Sequence, residues 1–232
     1  GKSMSGNDRL QKLEKKTGYI FRDQELVGRA LRHSSFLNEH GLAYTECGER
    51  LEYLGDAVLE LVSSCFLYDA FPEKPEGELT RMRASLVCES SLAETAKQLE
   101  LGAFLEMGRG EEKTGGRTKP SILADAVEAL IGAIYLDGGY EKARAFTEQF
   151  ILKDYDKRLR FTDNKTRLQE ELQKNGPVKI SYRTWEKAGD TGLYFLSEVS
   201  REGIVLGRGS GHSKKEAEQE AAGRALLNLE QA

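Results

Sequence analysis

The sequence lacks the features that several ordinary readings require. No apolar run in its 232 residues approaches the roughly 18–20 needed for a membrane span, so no membrane partner is expected. Residues 1–8 are small and polar and lack the apolar core of a signal peptide. Cysteine occurs only at Cys47, Cys65 and Cys88. An odd number among apolar segments argues against a disulfide framework and for free thiols in a reducing cytoplasm. Histidine occurs only at His33, His40 and His212, too few and too scattered for a histidine-based metal centre. No Glu-x-x-His pair is present, which excludes the usual di-iron carboxylate bundle. Neither an internal repeat nor a low-complexity tract is found, and no nucleotide cofactor is expected.

An excess of positive charge is also missing, since the formal net charge is −4. Its distribution is uneven. Residues 1–161 hold 23 Lys and Arg against 27 Asp and Glu, whereas residues 162–232 hold 11 of each. The deficit therefore lies wholly in the first part, and local faces rather than the overall charge must decide what the protein binds.

What is present is helix after helix. Apolar residues recur at three and four over 8–16, 23–31, 49–70, 77–87, 91–99, 121–136 and 140–159. Ser91 with Glu94 has the spacing of a capping box, and Phe71-Pro72 and Asp137-Gly138-Gly139 are stop signals. The glycine- and charge-rich stretch 108–119 predicts an exposed loop. After about residue 160 the pattern changes. A polar helix is predicted over 166–175, opened by Thr166 and Gln169 and broken by Gly176-Pro177. Strands follow at 180–187, 193–200 and 204–209, with the turn Gly189-Asp190-Thr191-Gly192 joining the first two. A last helix, 213–229, is capped by Ser213 and Glu216. This predicts an all-α domain over 6–156, a short charged linker over 157–162 and an α-β-β-β-α domain over 163–232.

Two helices carry acids where apolar residues belong. In Glu49-Arg-Leu-Glu52-Tyr-Leu-Gly-Asp56-Ala-Val-Leu the three acids fall at i, i+3 and i+7, within about 60° of one another. Most of the remaining circumference is apolar, so the acidic stripe is expected to face protein. In Ser121-Ile-Leu-Ala-Asp125-Ala-Val-Glu128-Ala-Leu-Ile the pair Asp125 and Glu128 interrupts a continuous apolar run, with no Lys or Arg beside it. Crowded carboxylates repel each other and lose hydration. A solvated acidic face or interhelical salt bridges would explain one such helix, but the same anomaly on two favours a divalent cation. An all-carboxylate donor set suits Mg²⁺ or Mn²⁺ rather than Zn²⁺, and Mg²⁺ suits phosphate chemistry.

These residues resemble the signature of the ribonuclease III family. The segment from Glu49 to Leu59 carries the likeness. Ala30-Leu-Arg-His-Ser-Ser-Phe before it, Glu76-Gly-Glu-Leu-Thr-Arg-Met-Arg-Ala after it, and residues 121–139 match in the family's order. The C-terminal part, from Lys165-Thr-Arg-Leu-Gln-Glu to Gly209-Ser-Gly-His-Ser-Lys-Lys-Glu-Ala-Glu, resembles a double-stranded-RNA-binding domain. The resemblance implies Mg²⁺-dependent cleavage of duplex RNA (Mn²⁺ substituting), with in-line attack by activated water and 5′-phosphate and 3′-hydroxyl products. It implies a homodimer acting in rRNA and mRNA processing and decay. Glu52, Asp56, Asp125 and Glu128 match the family's metal-holding carboxylates, with Asp56 and Glu128 catalytic. Glu49 and Glu76 match accessory acids of the catalytic valley. Tyr53 matches a residue packed across the dimer interface, though an ordinary core aromatic is an equal reading.

Duplex RNA is read by shape, through phosphates, 2′-hydroxyls and the minor groove. Thr166, Gln169 and Gln173 share a helix face suited to that task, and Lys214 and Lys215 open the last helix, where cations and free backbone N–H groups favour phosphate. The 189–192 turn lacks the basic residue the family often places there, and Glu218 stands where many eukaryotic versions have Lys. Trp185 is expected in the core, and His33 is expected to be a structural histidine.

Overall fold

The structure, a computed structural model, describes residues 6–162, 164–174, 176–189 and 192–230. It divides into two compact units, Gly1–Tyr155 and Asp156–Ala232.

In the first unit the described elements are helical. They are α1 (Gly6–Thr17), α2 (Gln24–Ala30), α3 (Ser34–His40), α4 (Glu49–Ala70), α5 (Glu76–Leu86), α6 (Glu89–Gln98), α7 (Arg109–Lys113), α8 (Pro120–Gly138) and α9 (Tyr140–Thr147). Short 3-10 turns lie at Tyr44–Glu46, Leu101–Phe104 and Gly116–Thr118. The apolar α8 is the centre of the domain: Ile122, Leu123, Val127, Leu130, Ile131 and Ile134 are all buried. It packs on α4, which contributes Leu51, Val58, Leu59, Val62 and Leu67. Gly139, with φ +84°, ends α8 while donating its N–H to the Tyr135 carbonyl at 2.8 Å. Asp137 in the last turn ties down the segment after α1, accepting from the Tyr19 hydroxyl at 2.6 Å and from the backbone N–H groups of Arg22 and Asp23.

The crossing of α4 and α8 is set by two glycines. A Cβ on Gly55 would lie 1.7 Å from the Glu128 carbonyl oxygen, and one on Gly132 would lie 2.2 Å from that of Leu51. The two backbones thus touch directly. Any larger residue would push the helices apart, together with the acids they carry.

The second unit starts one residue into α10 (Tyr155–Thr162), and α11 (Asn164–Gln173) leads into β1 (Ile180–Gly189), β2 (Gly192–Arg201), β3 (Ile204–Gly211) and then α12 (Lys214–Glu230). The strands form an antiparallel sheet in the order β1-β2-β3, with a register shift between Val199 and Ser200. Leu168 and Leu172 of α11, Val199 of β2 and Ala221, Ala222, Ala225 and Leu226 of α12 form the core. Gly207 and Gly209 let α12 lie on the β3 backbone, since an added Cβ would meet Ala221 atoms at 2.4 and 2.3 Å.

Several expectations need correction. The 157–162 linker is helical, being most of α10. The 140–159 helix is interrupted by a π-helical stretch, Glu148–Leu152, after α9. The 108–119 loop contains α7 and a 3-10 turn. Ser91 does not cap α6, which starts at Glu89; its buried hydroxyl donates to the Leu86 carbonyl at 2.6 Å instead. Thr166 lies inside α11, which begins two residues earlier. Ser213 does cap α12, accepting from the Glu216 N–H at 3.2 Å, while Glu216 reaches back to the His212 N–H at 2.8 Å. Trp185 is not a core residue: it is 38% exposed, with the Arg183 guanidinium 5.8 Å from its ring centre. Asp190 and Thr191 of the expected β1–β2 turn lie outside the described residues.

Candidate metal centre and nucleic-acid interface

The α4–α8 contact brings the acids of both helices to one place. Carboxylate oxygens of Glu52, Asp125 and Glu128 lie within 4.8 Å of one another, the spacing of ligands around one cation. Glu52 and Glu128 are half-buried, while Asp125 is exposed. Asp56 and Glu49 stand outside this trio but act on it electrostatically.

The electrostatics are those of a site short of positive charge. Burial pushes Glu128 up from 4.5 to about 7, helped by repulsion from Asp56, Glu52, Asp125 and Glu60. Burial also raises Glu52, with repulsion from Asp125, Glu49 and Asp56 adding to it. Partial burial raises Asp125 first, and repulsion from Glu89 and Glu49 adds to it against a lowering influence of His33. The donors are all carboxylate oxygens, which suits a hard, oxygen-seeking cation.

Next to the trio is a cleft of about 370 Å³ lined by Glu49, Glu52 and Asp125, by Arg32, His33 and Ser34, and otherwise by apolar and small residues. The Tyr44 hydroxyl, just before α4, donates to Glu49. Glu76 is not part of this group. It is the exposed first residue of α5, where its carboxylate accepts from the Thr80 hydroxyl at 2.8 Å.

Tyr53 lies on α4 away from the core and is 83% exposed, so the core-aromatic reading is wrong. Leu61 at 53% and Tyr68 at 74% extend the same stripe, with exposed Ala57 and Cys65 between them. The sequence reading missed Leu61 and Tyr68, although their helical spacing from Tyr53 was a usable signal. It also missed Gly55 and Gly132, the residues that set the acids' separation.

In the second unit, Thr166, Gln169 and Gln173 are exposed on α11, which buries Leu168 and Leu172. Lys214 and Lys215 are exposed in the first turn of α12, and the Lys214 ammonium lies 6.0 Å from the Phe195 ring centre. Glu218 is an internal brace: it accepts from Lys165 at 2.6 Å and from the Thr184 hydroxyl at 3.1 Å.

An all-helical domain with clustered carboxylates offers a site for a cation, and the α-β-β-β-α module that follows it offers a polar helix face and a lysine pair to a nucleic acid. Residues 23–155 match the family described as Ribonuclease-III-like, and residues 164–229 match the double-stranded RNA binding motif. Ribonuclease 3 of Pelotomaculum thermopropionicum is 48% identical over 95% of this chain and 93% of its own length. Ribonuclease 3 of Enterococcus faecalis is 45% identical over 97% and 99%. The solved nuclease domain of ribonuclease III from Campylobacter jejuni superposes with a TM-score of 0.59 at 44% identity, covering 63% of this chain and 99% of that one. The chain belongs to the ribonuclease III family, and it is an endoribonuclease that cuts double-stranded RNA.

Among the described residues no helix is long and apolar enough to cross a membrane.

Proposed function

We propose that this endoribonuclease depends on Mg²⁺, with Mn²⁺ able to substitute, and that Glu52, Asp56, Asp125 and Glu128 hold the ion. The observation that carries the reading is the ligand-spaced trio Glu52, Asp125 and Glu128, all three of whose members are driven toward protonation, first by burial and then by neighbouring acids. The bound cation would activate water and stabilise charge on the phosphate. The chain's own task is to keep the acids together in the absence of neutralising cations, which the Gly55–Gly132 contact does. Asp56 and Glu128 are the carboxylates assigned to catalysis, and Glu49, braced by Tyr44, is an accessory acid. Glu76 is assigned the accessory role on the strength of the family match alone.

The products are 5′-phosphate and 3′-hydroxyl ends, made in the cytoplasm during rRNA and mRNA processing. Free Cys47, Cys65 and Cys88 fit a reducing compartment. The enzyme works as a homodimer through the exposed stripe Tyr53, Leu61 and Tyr68, a surface too apolar to leave in water. The nuclease domain of the Campylobacter jejuni relative is described as flexible in a region involved in dimer formation, so the corresponding domain of that protein takes part in dimerisation. The second unit positions the duplex through Thr166, Gln169 and Gln173 and holds phosphate at Lys214 and Lys215.

Incubating the protein with a long duplex RNA in Mg²⁺, Mn²⁺ or chelator tests this reading. Cleavage in both metals and none in chelator is expected, with termini that a 5′-phosphate-specific exonuclease attacks. Equal cleavage in chelator would overturn the metal assignment.

A further inference from the structure

The cleft beside the carboxylates is lined both by the acids Glu49, Glu52 and Asp125 and by the potential donors Arg32, His33 and Ser34. An acidic cleft repels a polyanion unless donors meet its phosphates. Arg32 is already committed. It donates to Glu106 at 3.0 Å and to the Glu46 carbonyl at 2.9 Å, and forms ion pairs with both acids.

His33 and Ser34 are differently placed. The backbone N–H of Ser35 donates to His33 Nδ1 at 3.2 Å, and the Ser35 hydroxyl lies 2.8 Å from the same atom. In the neutral imidazole the proton therefore sits on Nε2. The ring is held firmly. The His33 backbone N–H donates to the Glu106 carbonyl at 2.8 Å, and the Gly108 N–H holds the Ser35 hydroxyl at 2.9 Å. Among the described residues neither His33 Nε2 nor the Ser34 hydroxyl has a hydrogen-bond partner. Both line the cleft as donors without a partner, and the His33 ring, within electrostatic reach of Asp125 and Glu111, is the one held in place.

We propose that the His33 Nε2–H and the Ser34 hydroxyl bind a backbone phosphate of the duplex RNA and so fix the strand's register against the carboxylates. This rests on the endoribonuclease reading of the domain. The contact is made in the ground state and the transition state alike, so its loss appears in KM more than in kcat.

Capping of α3 by His33 is the competing, purely structural role, and substitution separates the two. Asn is a good helix cap and keeps an acceptor near the position of Nδ1, but it has no donor at the position of Nε2. Gln places an amide N–H there. For His33→Asn we expect a wild-type melting temperature, a KM for duplex RNA raised roughly tenfold, and kcat within about threefold, the loss expected for one hydrogen bond to a charged group. Ser34→Ala should raise KM by about threefold or more, and His33→Gln should recover much of what Asn loses. The dissociation constant of duplex RNA, measured in the non-cleaving Glu128→Gln background, should follow KM. A wild-type KM in both His33→Asn and Ser34→Ala overturns the proposal, as does a KM that rises only with a falling melting temperature. Should His33→Asn fail to fold, Ser34→Ala decides by the same criteria. If the wild-type protein leaves duplex RNA uncut, the endoribonuclease reading itself fails, which is a different result from wild-type cutting with unaffected variants.

Discussion

Replacing Glu128 by Gln should stabilise the metal-free protein at neutral pH while nearly abolishing cleavage. Folding raises the Glu128 carboxyl from 4.5 to about 7, chiefly through burial and then through repulsion from Asp56 and Glu52. A carboxylate with a raised folded-state value binds more protons folded than unfolded. Its contribution is thus most favourable below about 4.5 and is lost as pH climbs toward about 7. At ~1.4 kcal/mol per pH unit the ceiling is about 3 kcal/mol, and solvent screening of a half-buried group reduces this to ~1–2 kcal/mol. The amide is nearly isosteric and uncharged, so it escapes the loss. In chelator at pH 7.5, Glu128→Gln should melt about 3–6 °C above wild type in the nuclease domain's transition, and at pH 5 the difference should shrink toward zero. Added Mg²⁺ should stabilise wild type more than the variant. The assay is differential scanning fluorimetry across this pH range, beside cleavage of duplex RNA. No gain at pH 7.5, or an equal gain at both pH values, would refute the account of the acids as mutually destabilised.

Gly55→Ala should disrupt the site from behind. Its Cβ would lie 1.7 Å from the Glu128 carbonyl oxygen, and overpacking of this kind costs ~2–3 kcal/mol, seen as a lower midpoint in urea unfolding together with weakened cleavage. Leu61→Glu places a charge in the exposed α4 stripe, and sedimentation should show monomer with a wild-type circular dichroism spectrum. Lys214→Ala with Lys215→Ala should weaken duplex binding regardless of sequence. It should also reduce the slope of log affinity against log salt by about 2, read by fluorescence anisotropy.

How much could be read without coordinates depended on the range of the interaction. The α4 boundaries were legible because a 22-residue helix is written in local periodicity and ends at Phe71-Pro72. The α3 helix was missed: at seven residues it is too short for periodicity to declare. Capping spacings misled at Ser91 and Thr166, since a Ser or Thr three residues before Glu or Gln also occurs inside helices and turns. At Ser91 the hydroxyl found a tertiary partner, the Leu86 carbonyl. Trp185 read as core because alternation shows that a strand has two faces without showing which one a helix covers.

The carboxylates themselves were chosen by the sequence, through a conflict visible in one dimension: acids at helical spacing among residues that must be buried. That two such helices exist, and that a polar helix and a lysine pair follow them in a second domain, needs no coordinates. Tertiary structure alone decided that Glu52, Asp125 and Glu128 share one ligand-sized space while Glu49 and Asp56 stand outside the trio and Glu76 lies apart. Their meeting depends on two helix backbones touching at Gly55 and Gly132, 77 positions apart in the chain. A glycine within a helix reads locally as a weakness, at ~1 kcal/mol relative to alanine. Its value here lies in the neighbour it admits, and no local pattern records which neighbour that is.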